Sequence, residues 1–197
     1  MRFKISTKGL SDCISSYRSK ESGFSLIELI MIITLLIIVA AIAVPRFGSY
    51  YSGITVGSAA TKIAADIWFA QNRATTTQDR SRYRVVDATH YEVLYCPDSG
   101  TNFDSATCSC TIAWAYARDP STQDNFQVDL AAEFSGVVIT SPLGHCIEFN
   151  TLGAPFYNAN CATLTSCNTS AGATVVIQSG GTSKNIAVTA ETGVVSY

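Results

Sequence analysis

The chain has 197 residues, 47% of them hydrophobic and 14% charged, so it is too apolar for a disordered polymer and long enough for one folded body with its own core. Its 13 basic and 15 acidic residues give a net charge of -2, a balance that does not advertise a nucleic-acid or anionic-membrane surface. No long low-complexity tract or internal repeat interrupts it.

Residues 1–23 carry Arg2, Lys4, Lys8, Arg18 and Lys20 against Asp12 and Glu21, a net +3, with no apolar block of their own. From Phe24 to Val44 the only polar side chains are Ser25, Glu28 and Thr34. That run is long enough to cross a bilayer as one helix, which takes about 20 residues. Basic residues flanking a membrane helix stay in the cytoplasm, so the C-terminal body is expected on the other side. A secretory signal peptide has its small-residue cleavage site after the apolar region, whereas Gly23 precedes it here. Cutting at Gly23 would remove the basic leader and keep the helix. Glu28 is the anomaly: an ionisable group in a membrane helix is costly unless paired, which marks it as a functional contact.

Gly23-Phe24-Ser25-Leu26-Ile27-Glu28-Leu29, followed by Pro45 at the end of the apolar run, resembles the N-terminus of type IV prepilins and type II secretion pseudopilins. The resemblance implies a pilin-like α+β fold, with a long N-terminal helix packed on an antiparallel sheet. It implies that a prepilin peptidase cuts between Gly23 and Phe24 and methylates the new N-terminus, leaving N-methyl-Phe24. Glu28, then the fifth residue, would face the terminal amine of a neighbouring subunit. The physics agrees, because a carboxylate and an ammonium are tolerated in hydrocarbon only as a hydrogen-bonded pair. Losing the leader removes five basic and two acidic residues and leaves 8 against 13, a net -5.

The expected organisation is a leader over 1–23, a transmembrane and filament-core helix over 24–45, the second half of the long helix with its linker over 46–80, and a periplasmic antiparallel β domain over 81–197. Pro45 lacks an amide hydrogen and is expected to kink or loosen the helix. Gly48, Gly53 and Gly57 each weaken the next stretch by up to about 1 kcal/mol. After Ser58, Ala59, Ile63, Ile67, Ala70 and Ala74 recur at helical spacing as an apolar stripe, with Lys62, Asp66 and Arg73 off it. From Arg82 the period becomes alternating. Strands are expected over 82–86, 90–96, 126–130, 137–140, 146–150, 174–178 and 184–190, with turns at Asp87-Ala88-Thr89, Ser141-Pro142-Leu143-Gly144 and Ser179-Gly180-Gly181-Thr182. These make one antiparallel sheet laid on the end of the helix.

Ala59 to Ala74, Cys146 to Pro155 and Ile186 to Val195 are similar to the helix end, a strand with its glycine turn, and the C-terminal strand of GspH/FimT-like minor pseudopilins. Some FimT-like minor pilins are understood to bind DNA through arginines after the C-terminal glycine, but Gly193 is followed here by Val194-Val195-Ser196-Tyr197. Arg73, Arg80, Arg82 and Arg84 form a basic cluster that could touch phosphates. The better reading puts Arg73 near a helix C-terminus and the others around a strand edge, where charge discourages aggregation, so a nucleic-acid partner is not expected.

Cys13 leaves with the leader, and Cys96, Cys108, Cys110, Cys146, Cys161 and Cys167 remain, an even count in an exported domain, so disulfides are expected. Closure of short loops suggests Cys161 with Cys167 and Cys96 with Cys108 or Cys110, leaving Cys146 the remaining partner. Cys108-Ser109-Cys110 and His145-Cys146 lack the Cys-x2-Cys spacing of a structural zinc site, so no metal is expected. His90 reads as a strand surface residue.

The sequence has no Gly-x-Ser-x-Gly, His-Glu-x-x-His or phosphate-cradling glycine loop, and His90 and His145 lie 55 residues apart, so neither catalysis nor a cofactor is expected. The resemblance therefore implies a minor pseudopilin or pilin of a type II secretion or type IV pilus system, at the filament tip or in assembly initiation. It implies as partners the prepilin peptidase, other pilins, the assembly platform and the inner membrane. The competing reading is a membrane-anchored periplasmic ligand-binding domain.

Overall fold

The computed structural model describes residues 23–104, 109–158, 161 and 171–197. The chain divides into two compact units, Met1–Val44 and Pro45–Tyr197. Helix α1 is Leu26–Thr77, 52 residues. Its helical backbone continues through Pro45, Gly48, Gly53 and Gly57. Proline removes one ladder bond without ending the helix here.

In the first unit Gly23, Phe24 and Ser25 precede the helix, and the Leu29 amide donates to the Ser25 carbonyl at 3.1 Å. Leu26–Ala43 has a mean hydropathy of 3.0 with none of it buried. This helix is long and apolar enough to cross a membrane.

In the second unit the strands are β1 (Ser81–Val85), β2 (His90–Tyr95), β3 (Phe103–Asp104), β4 (Ser109–Cys110), β5 (Ala115–Tyr116), β6 (Gln127–Asp129), β7 (Val138–Ser141), β8 (Cys146–Phe149), β9 (Pro155–Asn158), β10 (Ala173–Ser179), β11 (Thr182–Val188) and β12 (Val195–Ser196). Two single-turn helices intervene, α2 (Ser99–Asn102) and α3 (Leu130–Glu133). Asp129 caps α3 by accepting from the Ala131 and Ala132 amides. All the pairings are antiparallel. In place of one sheet there are two: one runs β5-β2-β1-β8-β9, with β6 also on β2, and the other runs β12-β11-β10-β7, while β3 and β4 form a separate ribbon.

The alternation in β1, β2 and β8 sends Tyr83, Val85, Tyr91, Val93, Ile147 and Phe149 to the core. The second sheet adds Ile139, Val175, Ile177, Ile186 and Val188. The α1 stripe of Ala59, Ile63, Ile67, Ala70 and Ala74 is fully buried among them. Small side chains at Ala59, Ala70 and Ala74 let the helix approach closely. Each large aliphatic buried here contributes about 1.5–3 kcal/mol.

Candidate functional site

The Gly23–Phe24 bond lies outside regular structure, two residues before α1 begins, and both residues are exposed. Among the described residues, nothing beyond its chain neighbours lies within 4 Å of where a Gly23 side chain would stand. Glu28 is in the first helical turn and exposed, where the helix dipole favours an anion. Pro45 lies inside α1. Gly23 and Phe24 are thus exposed just ahead of the helix, with Glu28 in its first turn.

Farther along, α1 is tied to the sheets by polar contacts. Gln71 Nε2 donates to the Gly153 carbonyl and to the Thr192 carbonyl, both at 2.9 Å, so one helical side chain fastens two loops. Asp66, expected off the apolar stripe, is buried at 6% exposure. Its carboxylate accepts from the Tyr91 hydroxyl at 2.5 Å and from Lys62 Nζ at 2.7 Å. The correction has a physical reason: β2 brings a phenol beneath the helix, which lets the acid go inward with a donor waiting. Burial pushes the Asp66 carboxyl up, against the pull of Lys62 and Tyr91. Burial likewise raises Tyr83 and Tyr91 well above the usual phenol range.

The far face of the first sheet overturns the edge-strand reading of the arginines. β1 is an interior strand, and Arg82 is buried opposite Glu148, which is fully enclosed. Arg82 Nη2 lies 3.0 Å from Glu148 Oε2, Arg80 Nη1 lies 3.5 Å from Glu148 Oε1, and Arg84 pairs with Glu92. Burial raises the Glu148 carboxyl and lowers the Arg82 guanidinium, while their contact pulls each back. Aromatic rings cover the cations: Arg82 stacks 3.8 Å from the Trp114 ring centre, Arg80 3.7 Å from that of Phe103, and Arg73 3.9 Å from that of Tyr95. Their charges are thus paired with carboxylates or covered by rings.

Disulfides join Cys96 to Cys110 and Cys146 to Cys161. The first was one of the expected pairings; the second replaces Cys161 with Cys167. The β8–β9 register sets Cys146 opposite Asn158, so the chain leaving β9 carries Cys161 back to within 5.3 Å, Cα to Cα. Cys108 and Cys167 lie outside the described residues. His90 is exposed as expected, and its Nδ1 lies 2.9 Å from Asp87 Oδ1. Among the described residues no group of three or more His, Cys, Asp or Glu could hold a metal ion.

An exposed face of α1 carries Tyr51, Ile54, Thr61, Ala65 and Trp68 at spacings of three and four residues or their sums. Beside it a groove of about 380 Å³ runs between Thr61, Trp68 and Gln71 of the helix and Val194 and Tyr197 near the C-terminus. No family model, characterised protein or solved structure matches the chain.

Proposed function

We propose that the chain is a minor pseudopilin or minor pilin. It is inserted in the inner membrane, trimmed between Gly23 and Phe24 by a prepilin peptidase, methylated at Phe24, and packed by its helix among sister subunits at the tip or in the initiation of a type II secretion pseudopilus or type IV pilus. The observation that carries the reading is the segment Gly23-Phe24-Ser25-Leu26-Ile27-Glu28, whose Gly23–Phe24 bond is exposed just before the 18-residue stretch Leu26–Ala43, which is strongly apolar and has none of its residues buried. A protease needs an accessible, non-helical substrate, and an unburied apolar helix needs lipid or other helices to cover it.

Glu28 supplies the assembly chemistry. Its carboxylate would receive the terminal ammonium of the neighbouring subunit's Phe24, a pair that sets axial register because either charge alone in hydrocarbon is costly. The uncharged exposed face through Tyr51, Ile54, Thr61, Ala65 and Trp68 offers a further contact, since a seam at this spacing accepts another helix. The folded β body, with its helix fastened by Gln71 and its loops by disulfides, is what such a subunit presents at the distal end.

The test separates processing from assembly in the host. Gly23→Ala is expected to leave the leader on, seen as a heavier band, and Glu28→Val to be cut normally yet fail to enter sheared filaments or crosslinked pilin complexes. Normal cutting of Gly23→Ala together with full incorporation of Glu28→Val would refute the proposal.

A further inference from the structure

A second cleft shares Ala65 and Trp68 with the C-terminal groove. It encloses about 400 Å³ between α1 and the segment 119–126, within the usual range of about 300–1,000 Å³ for ligand pockets. Phe69 and Phe126 stack in its wall with ring centres 5.2 Å apart, and Trp68 stands at the rim 60% exposed. Asp66 closes one side, and Asp119 contributes a second carboxylate, fixed in place by accepting from the Ser121 amide at 2.7 Å and the Ser121 hydroxyl at 2.5 Å.

One cation of this chain already uses that wall. Lys62 Nζ lies 2.7 Å from Asp66 and 5.5 Å from the centre of the Phe126 ring. Ring faces and a carboxylate together are the surroundings that attract an ammonium. Lys62 balances only one of the two carboxylates, so the cleft keeps an excess of one negative charge, and Trp68 offers an indole face that nothing in the chain is shown to cover. A hard metal ion would want several oxygens and no rings, which disfavours it against an organic cation.

We propose that this cleft binds an alkylammonium group from outside, the lysine side chain of a partner protein, laid along Trp68 with its charge toward Asp119. Its four-carbon stem would cover the rings while the head stays near the carboxylate, as long cationic side chains do on amphipathic surfaces. The site would thus read a basic residue on a docked protein while the Trp68 face, assigned above to subunit packing, stands open.

The experiment uses the full chain, 15N-labelled, in detergent micelles, and follows the indole N–H resonance of Trp68 at fixed ionic strength, with that of Trp114 as the control for fold. Nα-Acetyl-lysine methylamide is expected to give a saturable shift at Trp68 alone, and Nα-acetyl-norleucine methylamide, its uncharged counterpart, a response at least tenfold weaker. Asp119→Asn is expected to weaken lysine-amide binding about three- to tenfold, the scale of one lost charge contact or cation–π contact. A linear shift, equal responses to the two amides, or unchanged affinity in Asp119→Asn would each overturn the proposal. n-Butylammonium binding more tightly than the lysine amide would assign the cleft to a free amine and overturn the partner reading.

Discussion

Arg82 and Glu148 face each other on adjacent strands, β1 and β8, with Nη2 and Oε2 3.0 Å apart and both side chains out of water. The pair organises the far side of the first sheet, because Arg80 reaches the same carboxylate and Arg82 Nη1 donates to the Cys161 carbonyl at 2.9 Å, binding the disulfide-linked segment to the strand.

Removing the acid alone therefore strands buried guanidinium charge. Glu148→Ala is expected to destabilise the domain by about 3–5 kcal/mol in urea unfolding. The double change Arg82→Met with Glu148→Leu should recover most of that loss, since apolar replacements of a buried pair are often neutral. A single variant as stable as the parent would remove the pair from its structural role.

The fastening of the helix to the loops makes its own demand. Gly193 has φ of +68°, and a side-chain carbon there would stand 2.4 Å from Gln71 Nε2. Gly193→Ala combines left-handed backbone strain with a clash against the amide that holds Gly153 and Thr192. A loss of about 1–3 kcal/mol is expected. Gln71→Ala should cost less alone and reduce the effect of Gly193→Ala in the double variant, which a double-variant thermal melt would show.

At the β1–β2 turn the pH behaviour follows from contacts. Asp87 is held down to about 2, first by the Thr89 amide and then by the His90 ring, and His90 is raised from its ordinary 6.5 chiefly by its hydrogen bond to Asp87. A raised histidine stabilises below 6.5 and loses that contribution as pH rises through its folded value; a lowered carboxyl stabilises above 3.8 and loses it as pH falls through about 2. The turn is thus tightest between about 4 and 6.5. Titration by NMR should place His90 above 6.5 in the parent and return it toward 6.5 in Asp87→Asn; identical titrations would contradict the assignment.

How much of this was legible in the sequence depended on where the covering groups come from. The α1 stripe and strands β1, β2, β10 and β11 show in local periodicity, because their apolar residues alternate or recur along one segment. β9 begins at Pro155 directly after a glycine turn, and proline at a strand start masks the pattern. Arg82 and Glu148 occupy polar positions that alternation assigns to water; the Trp114 ring lies over Arg82 instead, and Phe103 over the neighbouring Arg80. Asp66 lies off the apolar stripe, and the donor that lets it be buried, Tyr91, is 25 residues away in sequence. The Cys146–Cys161 bond was hidden for the same reason: strand register, not loop length, brings the two together. The processing segment was the reverse case, written entirely in contiguous residues.

The measurement that bears most directly on the proposed role is the intact mass and N-terminal sequence of the protein taken from its host membrane. The account predicts a chain starting at Phe24, lacking residues 1–23 and carrying one methyl group on its terminal nitrogen. A protein that still starts at Met1 with a free, unmethylated amine would contradict it.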